Sequence, residues 1–383
     1  MNDWKISVTT FNCGKKYPVD NSTWSAKIIK ECLAGLSDAQ DIYVFGFQEF
    51  VPLWEGSFHD TVSSYLDEVA STTIDILSKQ FNGKTFKSIG SHSLGAIALL
   101  VIASNTVIKK SSILSVECSR GLLGSNLKGG IAISVDLANR KENHGNNKET
   151  FTFINTHLAA NEGMQNASTR IDDINCILNT CDRELRMTNF KNGHLFVLGD
   201  MNFRLTNINK DASQLDFTDA VVIQELLKNN DELNLFKLIS GFIFSGFIEP
   251  TITFAPTYKY KIDCPDEYNY KRTPSWCDRI LFKEYGNADK VKIINYNSIA
   301  RADCLQFTDH QPVTLSLSIP TTAECTQLTL PDFIQPEEYY KVVGSILNTS
   351  VGYSGWLLSF KYSKLIAIVL LVIWTVWILN AWK

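Results

Sequence analysis

Thr273-Pro274-Ser275-Trp276-Cys277-Asp278-Arg279-Ile280-Leu281 reads as a loop feeding a strand, with an acid and a base adjacent where the strand begins. Val197-Leu198-Gly199-Asp200-Met201-Asn202-Phe203-Arg204 has a related logic, an apolar run that ends in Gly-Asp. Each stretch alone has an ordinary reading, a turn or a structural ion pair. Together they point to metal-dependent cleavage of a phosphate ester.

Outward from these, the chain alternates between two hydrophobic periods. Strands are predicted at Ile6 to Asn12, Ile42 to Phe47, Leu94 to Ala103, Ile131 to Leu137, Phe151 to His157, His194 to Leu198, Ile280 to Phe282 and Val313 to Ile319. Helical spacing is read over Thr23 to Leu36, Val62 to Gln80, Ile171 to Met187 and, as one or two helices, Ala212 to Asn229. The polar stretch Asn139 to Thr150 reads as the tip of a hairpin. Strands and helices interleave without a repeat, which makes the class α/β.

The 383 residues carry a formal net charge of -4, with 45% hydrophobic and 20% charged residues. That composition belongs to a globular chain with a sizeable core. A weakly acidic balance argues against nucleic acid as a partner. Nine cysteines form no C-x-x-C pair and no regular framework, so neither a zinc site nor a disulfide scaffold is expected. The first residues lack the pattern of a signal peptide.

Leu365 to Trp382 contains no charged residue. As a helix, about 18 residues span roughly 27 Å, near the thickness of a thin bilayer. Lys361 and Lys364 precede it, and Trp374, Trp377 and Trp382 suit an interface. The expectation is a tail anchor at 365–382, a tether at 321–364 and a catalytic domain at 1–320 facing the cytosol. A short, moderately apolar anchor favours the endoplasmic reticulum membrane.

Polar residues sit just past several apolar runs: Asn12, Glu49, His157, Asp200 with Asn202, Asp278, and Asp309 with His310. Strands that all end this way can converge on one rim of a sheet pair. Glu49 offers an oxygen ligand to Mg²⁺. Asp200 can accept the proton of an attacking water. His157, His310 and Asn202 can hold phosphoryl oxygens, and Asp278 can fix the His310 tautomer.

At these residues the chain resembles the inositol polyphosphate 5-phosphatases of the endonuclease/exonuclease/phosphatase superfamily. The resemblance lies in Phe11-Asn12, Phe47-Gln48-Glu49, Lys128-Gly129-Gly130, Asn155-Thr156-His157-Leu158, Gly199 to Arg204, Ala255 to Tyr260, Pro274 to Leu281 and Asp309 to Val313. It covers roughly Ile6 to Ile319. It implies a four-layer α/β sandwich, two face-to-face β-sheets flanked by helices. It implies Mg²⁺ on Glu49, with Asn12 and Asp309 nearby, and it repeats the roles just given for Asp200, Asn202, His157, His310 and Asp278. In the family, residues near Tyr258-Lys259 and Lys271-Arg272 hold the 4-phosphate of the ring. Tyr258, Lys259, Arg272 and Lys128 are therefore the expected substrate contacts. Departures are Gln311 after Asp-His and Leu127 before Lys128.

The expected activity is Mg²⁺-dependent hydrolysis of the 5-phosphate of phosphatidylinositol 4,5-bisphosphate, giving phosphatidylinositol 4-phosphate, on a membrane bilayer. A membrane-bound sphingomyelinase and a nuclease of the same superfamily are the rival enzymes. A lipid-binding tether with a vestigial site is the non-enzymatic rival.

Overall fold

The structure is a computed structural model. It describes residues 3–18, 22–108, 113–138, 148–186, 188, 190–208, 211–238, 243–286, 291–321, 323–331 and 338–359, together with 368–369, 372–375 and 377–378.

Two six-stranded mixed sheets lie face to face. The first runs β11 (Lys292–Ser298), β12 (Val313–Ile319), β1 (Trp4–Asn12), β2 (Ile42–Gln48), β4 (Ile97–Ser104) and β3 (Phe86–Leu94). The second runs β5 (Ile113–Ser119), β6 (Gly129–Ala138), β7 (Lys148–His157), β8 (His194–Asp200), β10 (Asp278–Lys283) and β9 (Phe247–Ile248). Val8, Val44, Leu99, Ile133, Phe153, Leu198 and Ile280 fill the space between the sheets. On the outer face of the first sheet, α1 (Ser22–Leu33) and α2 (His59–Gln80) bury Ile28, Ile29, Leu66 and Leu77. On the outer face of the second, α3 (Met164–Glu184) buries Ile174 and Ile177. α4 (Ala220–Asn229) and α5 (Glu232–Leu238) follow β8.

Strand direction explains why polar residues collect at one rim. β1 and β2 are parallel, joined through α1, and β7 and β8 are parallel, joined through α3. All four therefore end on the same side as their partners, where open α/β sheets place ligands. β10 runs antiparallel to β8, so its first residue, Asp278, pairs with the last of β8, Asp200. β12 runs antiparallel to β1, which brings the Asp309-His310 loop to the Asn12 end.

The helix and strand expectations hold for the central elements. β3, β5, β9 and β11 were not foreseen, and neither were α5 and α6 (Glu338–Ser359). All four unforeseen strands are sheet edges. An edge strand has a wet side and carries polar residues, as Phe86–Leu94 does, so it lacks the apolar run that marks a central strand.

The segment 321–364, read as a tether, is bound to the domain through much of its described length. Gly286 N–H donates to Glu324 O at 2.8 Å, Leu328 is buried, and Asn179 Nδ2 donates to Pro331 O at 3.2 Å. The 22 residues of α6 then lie against the turns at Glu55–Ser57 and Leu122–Gly124. Apolar residues such as Leu328 bury themselves rather than leave the segment free. Among the described residues, no helix is long and apolar enough to cross a membrane. Most of 365–382, expected to be an anchor, lies outside the described residues.

Candidate active site

Asn12, Glu49, Lys128, His157, Asp200, Asn202, Tyr258, Lys259, Arg272, Asp309 and His310 all line one cleft of about 300 Å³. Residues up to 298 positions apart share it because each sits at a strand end or on a loop at the same rim. Glu49 and Asp200, from different sheets, face the same space.

Asp200 is held from several sides. Its Oδ2 accepts from Asn12 Nδ2 at 2.8 Å and lies 3.3 Å from His157 Nε2, and its Oδ1 accepts from the Asn202 N–H at 3.0 Å. Burial opposes its ionisation. The charge on His310, the His157 contact and Lys128 outweigh that and hold the carboxyl far below the usual range. Burial and the nearby Lys128 ammonium press His157 down, so it stays neutral. Lys128 Nζ rests against His157 Nε2. Burial lowers the Lys128 pKa to about 8, against the pull of Asp200 and Glu49.

His310 is set in one tautomer. Its Nδ1 donates to Asp278 Oδ2 at 2.9 Å, and that oxygen also accepts from Thr257 Oγ1 at 2.7 Å. Nε2 then faces Asp200, 3.9 Å away. Burial alone would depress His310, but Asp278, Asp200 and Asp309 raise it to about 9. Asp278 lies behind His310 and is fully buried. Strand alternation sends its neighbour Arg279 to the opposite face, where it pairs with Asp231 at 3.0 Å and Glu249 at 2.5 Å. The acid and base of the opening stretch therefore do different work, one in the cleft wall and one in the scaffold.

The cation side of the cleft is also defined. Lys259 Nζ donates to Asp309 Oδ2 at 2.6 Å, and Arg272 Nη2 donates to Asn161 Oδ1 at 3.0 Å. The Tyr258 ring packs tilted against His310, centroids 4.6 Å apart, and lies under the Arg204 guanidinium at 4.4 Å. Two cleft cations had no role in the sequence reading, Lys15 and Arg204. Lys15 sits on the turn after Asn12 and lies 3.5 Å from the Glu49 carboxylate. Arg204 is buried, donates through Nε to Asn202 O at 3.0 Å and contacts Asn202 Oδ1. Its place in the Gly-Asp-x-Asn-Phe-Arg stretch was the available signal.

The carboxylates and amide oxygens of the cleft suit a hard divalent cation, which takes oxygen ligands. Among the described residues, the group of three acids and histidines whose ligand atoms lie within 4.8 Å of one another is Asp200, Asp278 and His310. Both Asp200 oxygens, Asp278 Oδ2 and His310 Nδ1 already bond to each other or to Asn12, Thr257 and Asn202, whereas Asp278 Oδ1 is buried without a hydrogen-bond partner and His310 Nε2 has contacts at 3.9 Å. The Asp309 carboxylate, expected near the metal, is engaged by Lys259. Among the described residues, the Glu49 carboxylate has the longer Lys15 contact at 3.5 Å, and its backbone is strained, with φ of 45°. It is the carboxylate with most room for a metal.

Residues 9–316 match the Endonuclease/Exonuclease/phosphatase family 2. The chain belongs to this family. It is 30% identical over 298 residues to phosphatidylinositol 3,4,5-trisphosphate 5-phosphatase 1 of Xenopus laevis, a match covering 74% of this chain and 27% of that protein. It is 26% identical over 384 residues to type IV inositol polyphosphate 5-phosphatase 9 of Arabidopsis thaliana, covering 90% of this chain and 84% of that one. Polyphosphatidylinositol phosphatase INP53 of Saccharomyces cerevisiae is 28% identical over 80% of this chain and 26% of its own length. The match thus spans about a quarter of the frog and yeast proteins. Among solved structures, the inositol polyphosphate 5-phosphatase domain of SPsynaptojanin, in complex with inositol (1,4)-bisphosphate and calcium ion, superposes with a TM-score of 0.63 at 23% identity over 94% of each chain. A Cimex nitrophorin, a ferrous NO complex, has the same fold, with a TM-score of 0.60 at 20% identity over 84% of this chain and 99% of that one. The fold by itself therefore does not select a chemistry.

Proposed function

We propose that this chain is a phosphoinositide 5-phosphatase, a phosphoric monoester hydrolase that removes the 5-phosphate of phosphatidylinositol 4,5-bisphosphate. One observation carries the reading: an ionised, buried Asp200, held by Asn12 and the Asn202 N–H, opens onto a cleft ringed by Lys128, Arg204, Lys259 and Arg272. Such a cleft attracts a polyanion and presents a carboxylate to a water at phosphorus. The names of the relatives support the same reading.

Glu49, with Asn12, would hold Mg²⁺, which when bound supplies Lewis-acid stabilisation of the phosphoryl group. Asp200 orients the attacking water and takes its proton. His310, protonated through Asp278, donates from Nε2 to the phosphoryl oxygens as charge builds there. Lys128 and His157 support the same oxygens. Lys259, Arg272 and Tyr258 hold the ring and its 4-phosphate, which orients the 5-phosphate toward Asp200. No side chain forms a covalent bond to phosphorus in this scheme. Cys277, the nearest thiol in sequence to Asp278, is buried and pushed well up, which makes it a poor nucleophile.

The membrane setting is part of the proposal. The uncharged stretch 365–382 would anchor the chain in the endoplasmic reticulum membrane with the cleft on the cytosolic side. The decisive experiment measures phosphate release from phosphatidylinositol 4,5-bisphosphate with and without Mg²⁺, beside sphingomyelin and abasic DNA. Release from the phosphoinositide alone, dependent on metal, supports the reading. Faster turnover of sphingomyelin or abasic DNA refutes it.

A further inference from the structure

Helix α6 reverses the usual arrangement of a surface helix, which buries large apolar side chains and exposes polar ones. Gly344, Asn348, Gly352 and Gly355 form one stripe along it, and this stripe is the face against the domain. A side chain at Gly344 would strike the Gly124 backbone, and one at Gly355 would strike Trp54. Asn348 Oδ1 accepts from the Asn126 N–H at 3.0 Å. The opposite face carries Val342 and Ile346, which are 61% and 62% exposed, and Tyr353, 60% exposed, sets its ring edge-on against Phe58 at 5.6 Å. Leu122, on the adjoining turn, is 74% exposed. Only Glu338 and Lys341 are charged in the whole helix. Exposed apolar side chains gathered on one side in this way, with Thr349 and Ser350 between them, mark a surface meant to be covered.

Its position relative to the cleft narrows what covers it. A mostly apolar groove of about 330 Å³ is lined by Glu49, Lys128 and His157, which also line the cleft, and by Leu122, Leu347 and Val351. The groove therefore leads from the catalytic cleft to the edge of α6. Past Ser359, only residues 360–364 separate the helix from the uncharged stretch 365–382. Five residues reach at most about 18 Å even when fully extended. If that stretch enters a bilayer, α6 cannot be far from the bilayer surface.

We infer that the outer face of α6, together with Leu122, docks on the lipid bilayer and sets the mouth of the cleft at headgroup level. This rests on the proposed function above, on the phosphoinositide reading for its substrate and on the membrane-anchor reading of 365–382 for its geometry. The exposed apolar side chains enter the interfacial layer while the glycine stripe stays on the protein. Interfacial helices lie in the membrane plane in this way. The short connection keeps the cleft facing the same leaflet instead of allowing it to roam.

The test uses the full chain reconstituted in phosphatidylcholine vesicles containing phosphatidylinositol 4,5-bisphosphate. Acyl-chain-brominated phosphatidylcholine should quench Trp356, read as the difference between wild type and Trp356→Phe. The pair Val342→Gln and Ile346→Gln should reduce that quenching and cut turnover of the vesicle lipid about tenfold. Turnover of the water-soluble dioctanoyl analogue should stay unchanged. Unquenched Trp356, or equal vesicle turnover in wild type and the double variant, overturns the inference. So does a wild-type dimer, seen by sedimentation in detergent, that the double variant dissociates, since a second copy would then cover this face. Failure to hydrolyse either lipid refutes the phosphatase reading instead, and Trp356 quenching still decides the docking.

Discussion

Asn12 Nδ2 donates a 2.8 Å hydrogen bond to Asp200 Oδ2 across the space between the two sheets. Asn12 ends β1 in the sheet that also supplies Glu49, and Asp200 ends β8 in the other. This bond ties the metal side of the cleft to the water side. A second tie lies beneath it, where Gln48 Nε2 donates to Asn155 Oδ1 at 2.6 Å. Polar contacts between the sheets thus hold the cleft, above an interface that is mostly apolar.

Asn12→Ala removes one of the bonds that hold the Asp200 carboxylate. Hydrogen bonds to charged groups contribute about 1.5–3 kcal/mol. Stability should fall by about that amount in urea unfolding, and kcat by about a hundredfold, as Asp200 loses its aim. A kcat within about threefold of wild type would remove the bond from catalysis.

Activity should fall on the alkaline side in two steps. Lys128 loses its proton at about 8 and His310 at about 9. Lys128→Arg keeps the first charge and should leave only the later step in the pH profile of kcat/KM. Stability should not follow activity. His310, raised from 6.5, favours the native state fully below about 6.5, and that contribution is lost as pH rises through about 9. Lys128, lowered from 10.5, works oppositely, so the native state gains between about 8 and 10.5.

Asp278→Asn keeps the shape behind His310 but removes the negative charge that raises it. The alkaline limb assigned to His310 should move to lower pH, and kcat at neutral pH should drop by about a hundredfold. A fall in kcat with no movement of the limb would make Asp278 a packing residue only.

Arg279→Met leaves the buried Asp231 and Glu249 carboxylates without their shared partner. Losing one member of a buried ion set costs about 3–5 kcal/mol. Urea unfolding should show that loss, while KM for the short-chain lipid stays within about threefold, because Arg279 faces away from the cleft. A large rise in KM would place it in substrate binding.

Chelation by EDTA should abolish phosphate release, and Mg²⁺ should restore it. Glu49→Gln should raise the Mg²⁺ concentration for half-maximal rate by at least about tenfold. Direct measurement of Mn²⁺ binding by electron spin resonance gives a readout free of turnover. Unaltered binding in Glu49→Gln would shift the metal to the Asp200, Asp278 and His310 group.

What the residues alone determined is considerable. Central strands announce themselves because burial on both faces demands an unbroken apolar run, as in Ile42–Gln48 and His194–Asp200. The polar residue that ends each run marks where the chain leaves the core, and so the cleft residues were readable one by one. Their convergence was decided by strand direction and register, which depend on partners far away in the chain, as for Thr10 opposite Val313 and Asp278 opposite Asp200. The edge strands, the different duties of Asp278 and Arg279, and the pairing of Lys259 with Asp309 emerge only from the assembled sheets. The same holds for α6. Its residues read as part of a tether until the domain supplies the surface its glycines fit, and burial is a property of that fit, not of the helix by itself.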